Sequence, residues 1–309
     1  MECIPVNEEY TKIQWLLGNI CNYDCSYCPD HLHSNDTRLY NDESLADSIR
    51  YVANELRAVG RIPKIEFVGG EPTLHEGIIT GLSSTGSNQP GGNKLTTNGS
   101  ASLEWYMDNS VYFSEIEISY HIPWANMAHI KQTVNYLTNL EDAPNVIVYV
   151  HATNLDTHWS KAVDAYEELL DSNINAKLKL LYSNFTRGNQ YLPYKNYQLK
   201  YYYESIGEVF NPQATTVVDP TGYIPKSRQR NMFTEETVQG SSMQRRSKMC
   251  NAGIDQLVVW KDGNVYRGYC KAGGSLGNVK ERTFHIPTEA IECPFDLCNN
   301  GFDRQNSFT

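Results

Sequence analysis

The sequence lacks long apolar runs and an excess of positive charge. Nothing in its 309 residues approaches the roughly twenty consecutive apolar residues that a membrane-spanning helix needs. The first residues have neither the basic nor the apolar region of an export signal, so we expect a cytoplasmic protein without a membrane partner. With 26 Lys and Arg against 36 Asp and Glu, the formal net charge is -10. That balance argues against nucleic acid as a partner, because binding to its phosphates requires clustered basic residues.

With one exception, the cysteines of the chain fall into two groups. The chain has eight cysteines and no export signal, which indicates metal or redox use rather than a disulfide framework. Cys3 stands apart and is most simply a free thiol. The first group consists of Cys21, Cys25 and Cys28. The second group consists of Cys250, Cys270, Cys293 and Cys298.

The first group has the spacing C-x3-C-x2-C and follows directly on the first predicted strand, residues 12–18. Three thiolates on a short loop can hold three irons of an iron-sulfur cube and leave the fourth iron without a protein ligand. An iron without a protein ligand can take part in catalysis. A zinc site or a disulfide knot is the alternative, because C-x2-C pairs also bind zinc.

A second motif follows about forty residues later, where the apolar strand 64–68 ends in Gly69, Gly70, Glu71 and Pro72. Glycines at the end of a strand let a ligand approach the backbone closely. Glu71 offers an acceptor for an ammonium group. With the cysteine loop before it, this Gly-Gly-Glu-Pro sequence resembles the signature of the radical S-adenosylmethionine (radical SAM) superfamily.

The resemblance implies a catalytic [4Fe-4S] cluster whose open iron binds S-adenosylmethionine (AdoMet). It also implies cleavage of AdoMet to a 5'-deoxyadenosyl radical, which takes a hydrogen atom from the substrate. The backbone of Tyr27 is then expected to meet the adenine. The implied cluster ligands are Cys21, Cys25 and Cys28. The residues implied to hold the amino end of AdoMet are Gly69, Gly70 and Glu71.

Polar residues after the third and fourth predicted strands are further candidates. Ser119 matches the position at which the family contacts the ribose, and the alternative is a hydroxyl bonded to its own backbone. Thr97 and Asn98 are candidates of the same kind. His121 follows Ser119 on the same face and is the candidate for substrate contact, although a lone histidine is more often a satisfied polar group. His151 is a candidate for substrate contact with the same alternative.

Hydrophobic periodicity predicts six strands alternating with six helices. Such alternation implies parallel strands joined by right-handed crossovers, with catalytic groups at the carboxyl ends of the strands. We therefore predict an α/β fold, a partial (β/α)6 TIM-like barrel over residues 1–207, followed by a connector over 208–249. The predicted strands are 12–18, 64–68, 94–97, 115–121, 145–151 and 176–181. The predicted helices are 42–59, 76–83, 101–108, 125–140, 158–171 and 196–207.

The segment 250–309 is predicted to be a small iron-sulfur domain. The pair Asp262-Gly263 between alternating strands predicts a hairpin that brings Cys250 and Cys270 to the same end. We expect a helix between this hairpin and the last two cysteines. The segment resembles the twitch domain, a shortened form of the SPASM extension of radical SAM enzymes, and a structural zinc site is the alternative. The resemblance implies one auxiliary [4Fe-4S] cluster on Cys250, Cys270, Cys293 and Cys298.

These features predict an oxidoreductase that acts on a polar small molecule. A fully ligated second cluster suits electron transfer, and twitch relatives include dehydrogenases and epimerases of aminoglycoside-type sugars. A carbohydrate or amino-alcohol substrate is therefore the favoured class. An electron donor such as flavodoxin or ferredoxin is implied as a partner.

Three alternatives stay open. A radical epimerase needs a thiol as hydrogen donor, and Cys3 is the one cysteine that no cluster claims, which makes it a second candidate catalytic residue. A maturase of ribosomal peptides often has a leader-binding domain before the barrel, and we expect none because the first predicted strand begins within about a dozen residues of Met1. A metal-binding scaffold without turnover would have no use for the Gly-Gly-Glu-Pro sequence.

Overall fold

The computed structural model describes residues 10–28, 40–85, 92–181, 192–210 and 247–295. Most of the predicted connector 208–249 lies outside these ranges, as do Cys3 and Cys298. Within the described ranges, no helix is both long and apolar enough to cross a bilayer.

Six strands alternate with six helices in the first 207 residues, as the periodicity predicted. The strands are β1 (Tyr10–Leu16), β2 (Ile62–Val68), β3 (Asn93–Thr97), β4 (Phe113–Tyr120), β5 (Asn145–Ala152) and β6 (Ala176–Leu180). The helices are α1 (Asp42–Ala58), α2 (Glu76–Thr85), α3 (Leu103–Asn109), α4 (Met127–Thr138), α5 (Asp156–Asp171) and α6 (Asn196–Ser205). Short 3-10 turns at Pro72–Leu74 and Ser110–Tyr112 precede α2 and β4.

Helix α1 illustrates why these segments fold as they do. The side-chain oxygen of Asn41 accepts the backbone N–H of Ser44 at 2.7 Å, which satisfies one of the free donors at the start of the helix. Buried positions such as Leu45 and Ile49 recur at helical spacing and face the sheet. The chain leaves the helix at Gly60, whose φ of +77° is favourable for glycine.

The six strands are parallel and lie side by side in chain order, from β1 to β6. Since each crossover has the same hand, the helices cover one face of the sheet. Alternate side chains of every strand point to that outer face and form the core with the helices. The most deeply buried strand residues are Ile13, Trp15, Ile65, Phe67, Leu95, Ile116, Ile118, Val148 and Val150. This is the partial (β/α)6 barrel that the sequence predicted.

The inner face of the barrel carries polar side chains from all six strands. They occupy the positions between the core residues, and register pairing places Gln14, Glu66 and Lys94 side by side. Each keeps some contact with solvent. The inner-face residues, in order from β1 to β6, are Gln14, Glu66, Lys94, Glu117, Tyr149 and Lys179. The sequence analysis did not predict this polar face.

The C-terminal segment extends the same sheet with three strands and forms a small separate sheet with two others. Its strands are β7 (Met249–Cys250), β8 (Gln256–Val259), β9 (Asn264–Tyr266), β10 (Ser275–Asn278) and β11 (Ile291–Glu292). Strand β8 lies parallel to β1, with Ile13 opposite Leu257. The predicted hairpin is confirmed, because β8 and β9 are antiparallel around Gly263, whose φ is +91°.

The helix expected between the hairpin and Cys293 is not formed within the described residues 247–295. Instead the chain folds back on β10, where the N–H of Thr283 donates to the carbonyl of Asn278 at 3.0 Å and that of His285 to the carbonyl of Leu276 at 3.0 Å. Pro287 follows and has no N–H to continue a helix. Backbone pairing with β10 therefore replaces the predicted helix.

Candidate active site

The three-cysteine loop leaves the carboxyl end of β1 and is held against the end of β2. The N–H of Leu17 donates to the carbonyl of Val68 at 2.9 Å, and the N–H of Glu71 donates to the carbonyl of Ile20 at 2.7 Å. Both bonds fix the chain just before Cys21. The loop therefore sits at the end of the barrel where parallel β/α folds hold their catalytic groups.

The Gly-Gly-Glu turn allows this contact because a side chain would block it. Gly69 and Gly70 have φ angles of +94° and +59°. A Cβ atom on Gly70 would lie 2.2 Å from the carbonyl oxygen of Ile20. The close backbone approach at Gly70 is thus made by the cysteine loop itself. The predicted contact of Gly69 and Gly70 with the amino end of AdoMet stays a prediction.

The donor set on the loop is suited to an iron-sulfur cluster. Cys25 is buried and turns back to accept the N–H of Cys28 on its carbonyl at 2.8 Å, while the sulfur of Cys21 accepts the N–H of Tyr23 at 3.4 Å. Burial raises the pKa of Cys25 to about 11 and that of Cys28 to about 12, with a smaller contribution from the neighbouring thiols. Binding of a metal must therefore release protons.

No three His, Cys, Asp or Glu side chains of the described ranges converge on a single metal ion. The ligands of a cube each bind a different iron and so stand farther apart than ligands that share one ion. The loop offers three soft thiol ligands, which suit an iron-sulfur cluster better than a hard cation. These residues fit a cluster with one open iron.

Glu71 joins the ends of β2 and β3. It is fully buried, and its Oε1 atom accepts hydrogen bonds from the hydroxyls of Thr73 and Thr97, both at 2.7 Å, and from the N–H of Thr73 at 3.0 Å. Its Oε2 atom accepts the N–H of Asn98 at 2.6 Å. The Asn98 side chain in turn donates to the sulfur of Cys21 at 3.8 Å. Thr97 and Asn98 thereby belong to one polar network with the cysteine loop.

Tyr27 connects the loop to the end of β4. Its hydroxyl lies 2.7 Å from Nδ1 of His121, and the two rings stack at 5.9 Å. Burial lowers the pKa of His121 to about 4, so its imidazole is neutral at physiological pH. The predicted substrate residue and the predicted adenine residue are therefore in direct contact.

Two further histidines complete this cluster. His151, at the end of β5, has its ring centroid 4.6 Å from that of His121. His158, in α5, packs edge-on against Tyr27 at 5.8 Å. The sequence analysis missed His158, because its position in α5 gave no sign that it faces the cysteine loop.

Comparisons with known proteins agree with this reading. No family model matches the sequence. Among curated proteins, the chain is 26% identical over 169 residues to a 7-carboxy-7-deazaguanine synthase of Clostridium acetobutylicum, which covers 53% of this chain and 68% of that protein. Among solved structures, it is similar to native anSMEcpe with bound AdoMet, with a TM-score of 0.49 and 18% identity over 90% of this chain and 80% of that one. It is also similar to BtrN in complex with AdoMet and 2-DOIA, with a TM-score of 0.43 and 13% identity over 89% of this chain and 80% of that one.

Since both TM-scores are below 0.5, the structural likenesses carry no weight of their own. The likeness to the radical SAM superfamily rests on the C-x3-C-x2-C loop after β1 and on the Gly-Gly-Glu-Pro turn that holds this loop. The curated relative adds a distant sequence likeness, at 26% identity over about half of the chain. The three thiols of the loop fit a [4Fe-4S] cluster with one open iron.

The remaining predicted site residues lie around the same opening. Ser119 lies on the inner face at the end of β4, opposite Tyr149 of β5. Its predicted role at the ribose, like those of Thr97 and Asn98, stays a prediction. The predicted backbone contact of Tyr27 with adenine also stays a prediction.

An ion-pair network lies below this opening. The ammonium group of Lys94 is 3.2 Å from a carboxylate oxygen of Glu66, 3.2 Å from one of Glu115 and 2.8 Å from one of Glu117. Gln14 donates to Glu66 at 2.7 Å and accepts a hydrogen bond from the hydroxyl of Tyr269. The alternating charges in β3 and β4 are the signal that could have revealed this face. The inner face of the barrel is thus joined to the C-terminal segment.

The second cysteine group is brought together in part. Cys250 and Cys293 are 6% and 7% exposed and pack with Ala252 and Ile291 in a small cluster, where β7 pairs with β11. Cys270 is partly exposed, in a turn after β9. The auxiliary cluster and the twitch assignment stay predictions, since Cys298 lies outside the described residues.

Proposed function

We propose that this protein is a radical SAM enzyme that oxidises a polar small molecule of the carbohydrate or amino-alcohol type. The observation that carries this proposal is the polar inner face, to which every strand from β1 to β6 contributes a side chain. A ligand rich in hydroxyl and amine groups exchanges hydrogen bonds with such a surface. An apolar ligand of the same size would displace water from this face without replacing its hydrogen bonds, at a cost of about 1–3 kcal/mol for each polar atom left unpaired.

When bound, AdoMet and the cluster supply a 5'-deoxyadenosyl radical that takes one hydrogen atom from a carbon bearing a hydroxyl or an amine. Conversion of that carbon to a carbonyl or imine then releases one proton and one electron. We assign the electron to a second, fully ligated [4Fe-4S] cluster. Its ligands would be Cys250, Cys270, Cys293 and Cys298. A flavodoxin or ferredoxin would supply the electron that starts each turnover.

The contact between the C-terminal segment and the barrel supports this assignment. Strand β8 continues the sheet beside β1, and Tyr269 reaches Gln14 on the inner face. Cys270 is the next residue along the chain. A cluster at this segment would therefore lie against the barrel wall, where an electron could leave the substrate.

Mass spectrometry of the reaction tests the proposal. The protein is reconstituted without oxygen and incubated in heavy water with AdoMet, dithionite and a polar extract of the source cell. We expect a product lighter by two hydrogens, formed together with 5'-deoxyadenosine. A matched protein with Cys21, Cys25 and Cys28 replaced by alanine should form neither. A product that only gains one deuterium would contradict oxidation and indicate an epimerase.

The epimerase alternative depends on a thiol that can donate hydrogen. Cys3 is the one cysteine outside the two groups, and it lies outside the described residues. Replacement of Cys3 by alanine should leave an oxidase fully active. Loss of turnover in Cys3→Ala, with an unchanged iron content, would favour the epimerase.

A further inference from the structure

His151 is a buried polar side chain without a partner. It is 8% exposed at the end of β5, and neither of its ring nitrogens has a hydrogen-bond partner in the described part of the chain. Its neighbour His158 differs, because Nδ1 of His158 accepts the N–H of Thr153 at 3.4 Å and its Nε2 lies 3.2 Å from the carbonyl of Ile122. Buried polar groups are nearly always paired, so an unpaired imidazole indicates a ligand.

Lys179 lies next to His151 and is not paired with a carboxylate. The two residues are register partners on β6 and β5. Among the ion pairs of the described residues, none involves Lys179, and its ammonium group lies 5.0 Å from the centre of the Tyr149 ring. Lys94, on the same face of the sheet, is by contrast surrounded by three carboxylates. A cation is therefore available beside the unpaired imidazole.

His121 and Tyr27 place this pair next to the expected AdoMet site. The His121 ring lies between that of His151, at 4.6 Å, and that of Tyr27, at 5.9 Å. Tyr27 directly precedes Cys28. A group held by His151 and Lys179 would thus lie beside the expected AdoMet site.

We propose that His151 and Lys179 bind an anionic group of the substrate, a carboxylate or a phosphate. An ammonium group offers three donors, and a neutral imidazole adds one N–H, so the pair suits a ligand with several acceptor oxygens and a negative charge. Burial lowers the pKa of Lys179, and an anion beside it would restore the charged form. The inference rests on the proposed function, since it makes the substrate an acidic or phosphorylated member of the polar class.

Calorimetry without oxygen tests this site. The reconstituted protein is saturated with AdoMet and titrated with inorganic phosphate and, separately, with succinate. We expect saturable binding of at least one of these probes, weakened about tenfold or more in Lys179→Met and in His151→Phe, since a hydrogen bond to a charged group is worth about 1.5–3 kcal/mol. Lys177→Met is the matched control, because Lys177 lies on the same face of β6 and pairs with Tyr149 instead. Its affinity should be unchanged.

The other outcomes overturn the inference. Absence of binding by both probes would do so, as would equal affinities in the wild type and Lys179→Met. A parallel titration without AdoMet separates one further case, because binding seen only there would assign the site to the carboxylate of AdoMet rather than to the substrate. Formation of 5'-deoxyadenosine, measured on the same preparations, separates this inference from the proposed function. A protein that cleaves AdoMet without binding an anion refutes only the anion site.

Discussion

The hydroxyl of Tyr27 and Nδ1 of His121 lie 2.7 Å apart, 94 residues apart in the chain. The contact joins the cysteine loop to the end of β4, and through His121 to His151 on β5. His151 is buried and His121 is half-buried, and desolvation lowers both of their pKa values, with further lowering from Lys179. The three-cysteine loop is thereby packed against imidazoles that are neutral at physiological pH.

We expect the stability of the protein to fall as the pH is lowered from 7 to 5. The pKa of His121 is about 4 in the folded state and about 6.5 when unperturbed. Below pH 6.5 the unfolded chain therefore binds more protons than the folded chain, and the free energy of unfolding decreases, by about 2 kcal/mol at pH 5 for this residue. Above pH 7 the contribution is constant. The midpoint of thermal unfolding measured at both pH values shows the effect.

His121→Asn should reduce this dependence on pH. The exposed His285 provides the control, and His285→Asn should keep the full decrease between pH 7 and pH 5. A decrease of the same size in His121→Asn and in the wild type would show that His121 does not carry it.

A methyl group on Gly70 should prevent cluster assembly. The Cβ atom of Gly70→Ala would lie 2.2 Å from the carbonyl of Ile20, so the loop before Cys21 must move. Gly60→Ala is the matched control, because Gly60 also has a positive φ, of +77°, but its Cβ would have nothing within 4 Å. We expect Gly70→Ala to lose most of its iron on reconstitution and Gly60→Ala to keep it. Equal iron contents in the two variants would contradict the packing argument.

Replacement of Glu71 by glutamine should destabilise the protein. Its two carboxylate oxygens accept four hydrogen bonds in a fully buried position. In Gln an NH₂ group replaces one of these oxygens, and it would face an N–H or O–H group that it cannot accept a hydrogen bond from. We expect a loss of about 1–3 kcal/mol for Glu71→Gln. Glu76→Gln, at the exposed start of α2, should change the stability by less than about 0.5 kcal/mol. Thermal unfolding of both variants gives the comparison.

The parts of the fold that depend on local pattern were predictable from the sequence. The apolar periodicity of α1 and the Asp262-Gly263 turn each specify one structure within a few residues, and the structure confirms both. The helix predicted after the hairpin was wrong, because the backbone pairing of 280–285 with β10 depends on a partner that local periodicity does not show.

The site was predictable only where its residues belong to one motif that is continuous in sequence. The cysteine loop and the Gly-Gly-Glu turn are each continuous in sequence, and their contact follows from the adjacency of β1 and β2. The cluster of Tyr27 with His121, His151 and His158 draws on four separate segments. No spacing in the sequence relates these residues, so their contacts required the structure.

Removal of the inner-face cation should cost stability. Lys94→Met leaves Glu66, Glu115 and Glu117 without the ammonium group that lies within 3.2 Å of each. We expect a loss of about 3 kcal/mol, because the three carboxylates lose their shared cation. Lys131→Met, which breaks a more exposed pair with Glu168, should cost less than about 1 kcal/mol. Similar losses for both variants, measured by thermal unfolding at pH 7, would refute the network.

The second cysteine group should separate cleavage of AdoMet from oxidation of the substrate. Cys250 and Cys293 are buried side by side, so replacing both by alanine removes two ligands of the proposed auxiliary cluster. We expect iron to fall from about eight to about four atoms per chain, with 5'-deoxyadenosine still formed and the oxidised product lost. Cys3→Ala should keep the full iron content.

Metal analysis of these variants also tests the zinc alternative. A zinc site and an iron-sulfur cluster on these cysteines would differ in function, because zinc has no redox chemistry and could not accept the electron of the oxidation. About four irons and one zinc per wild-type chain would identify a structural zinc site and remove the electron acceptor from the proposed function. About eight irons in the wild type and about four in the double variant would support a C-terminal iron-sulfur cluster. Such a cluster could accept the electron that distinguishes oxidation from hydrogen transfer alone.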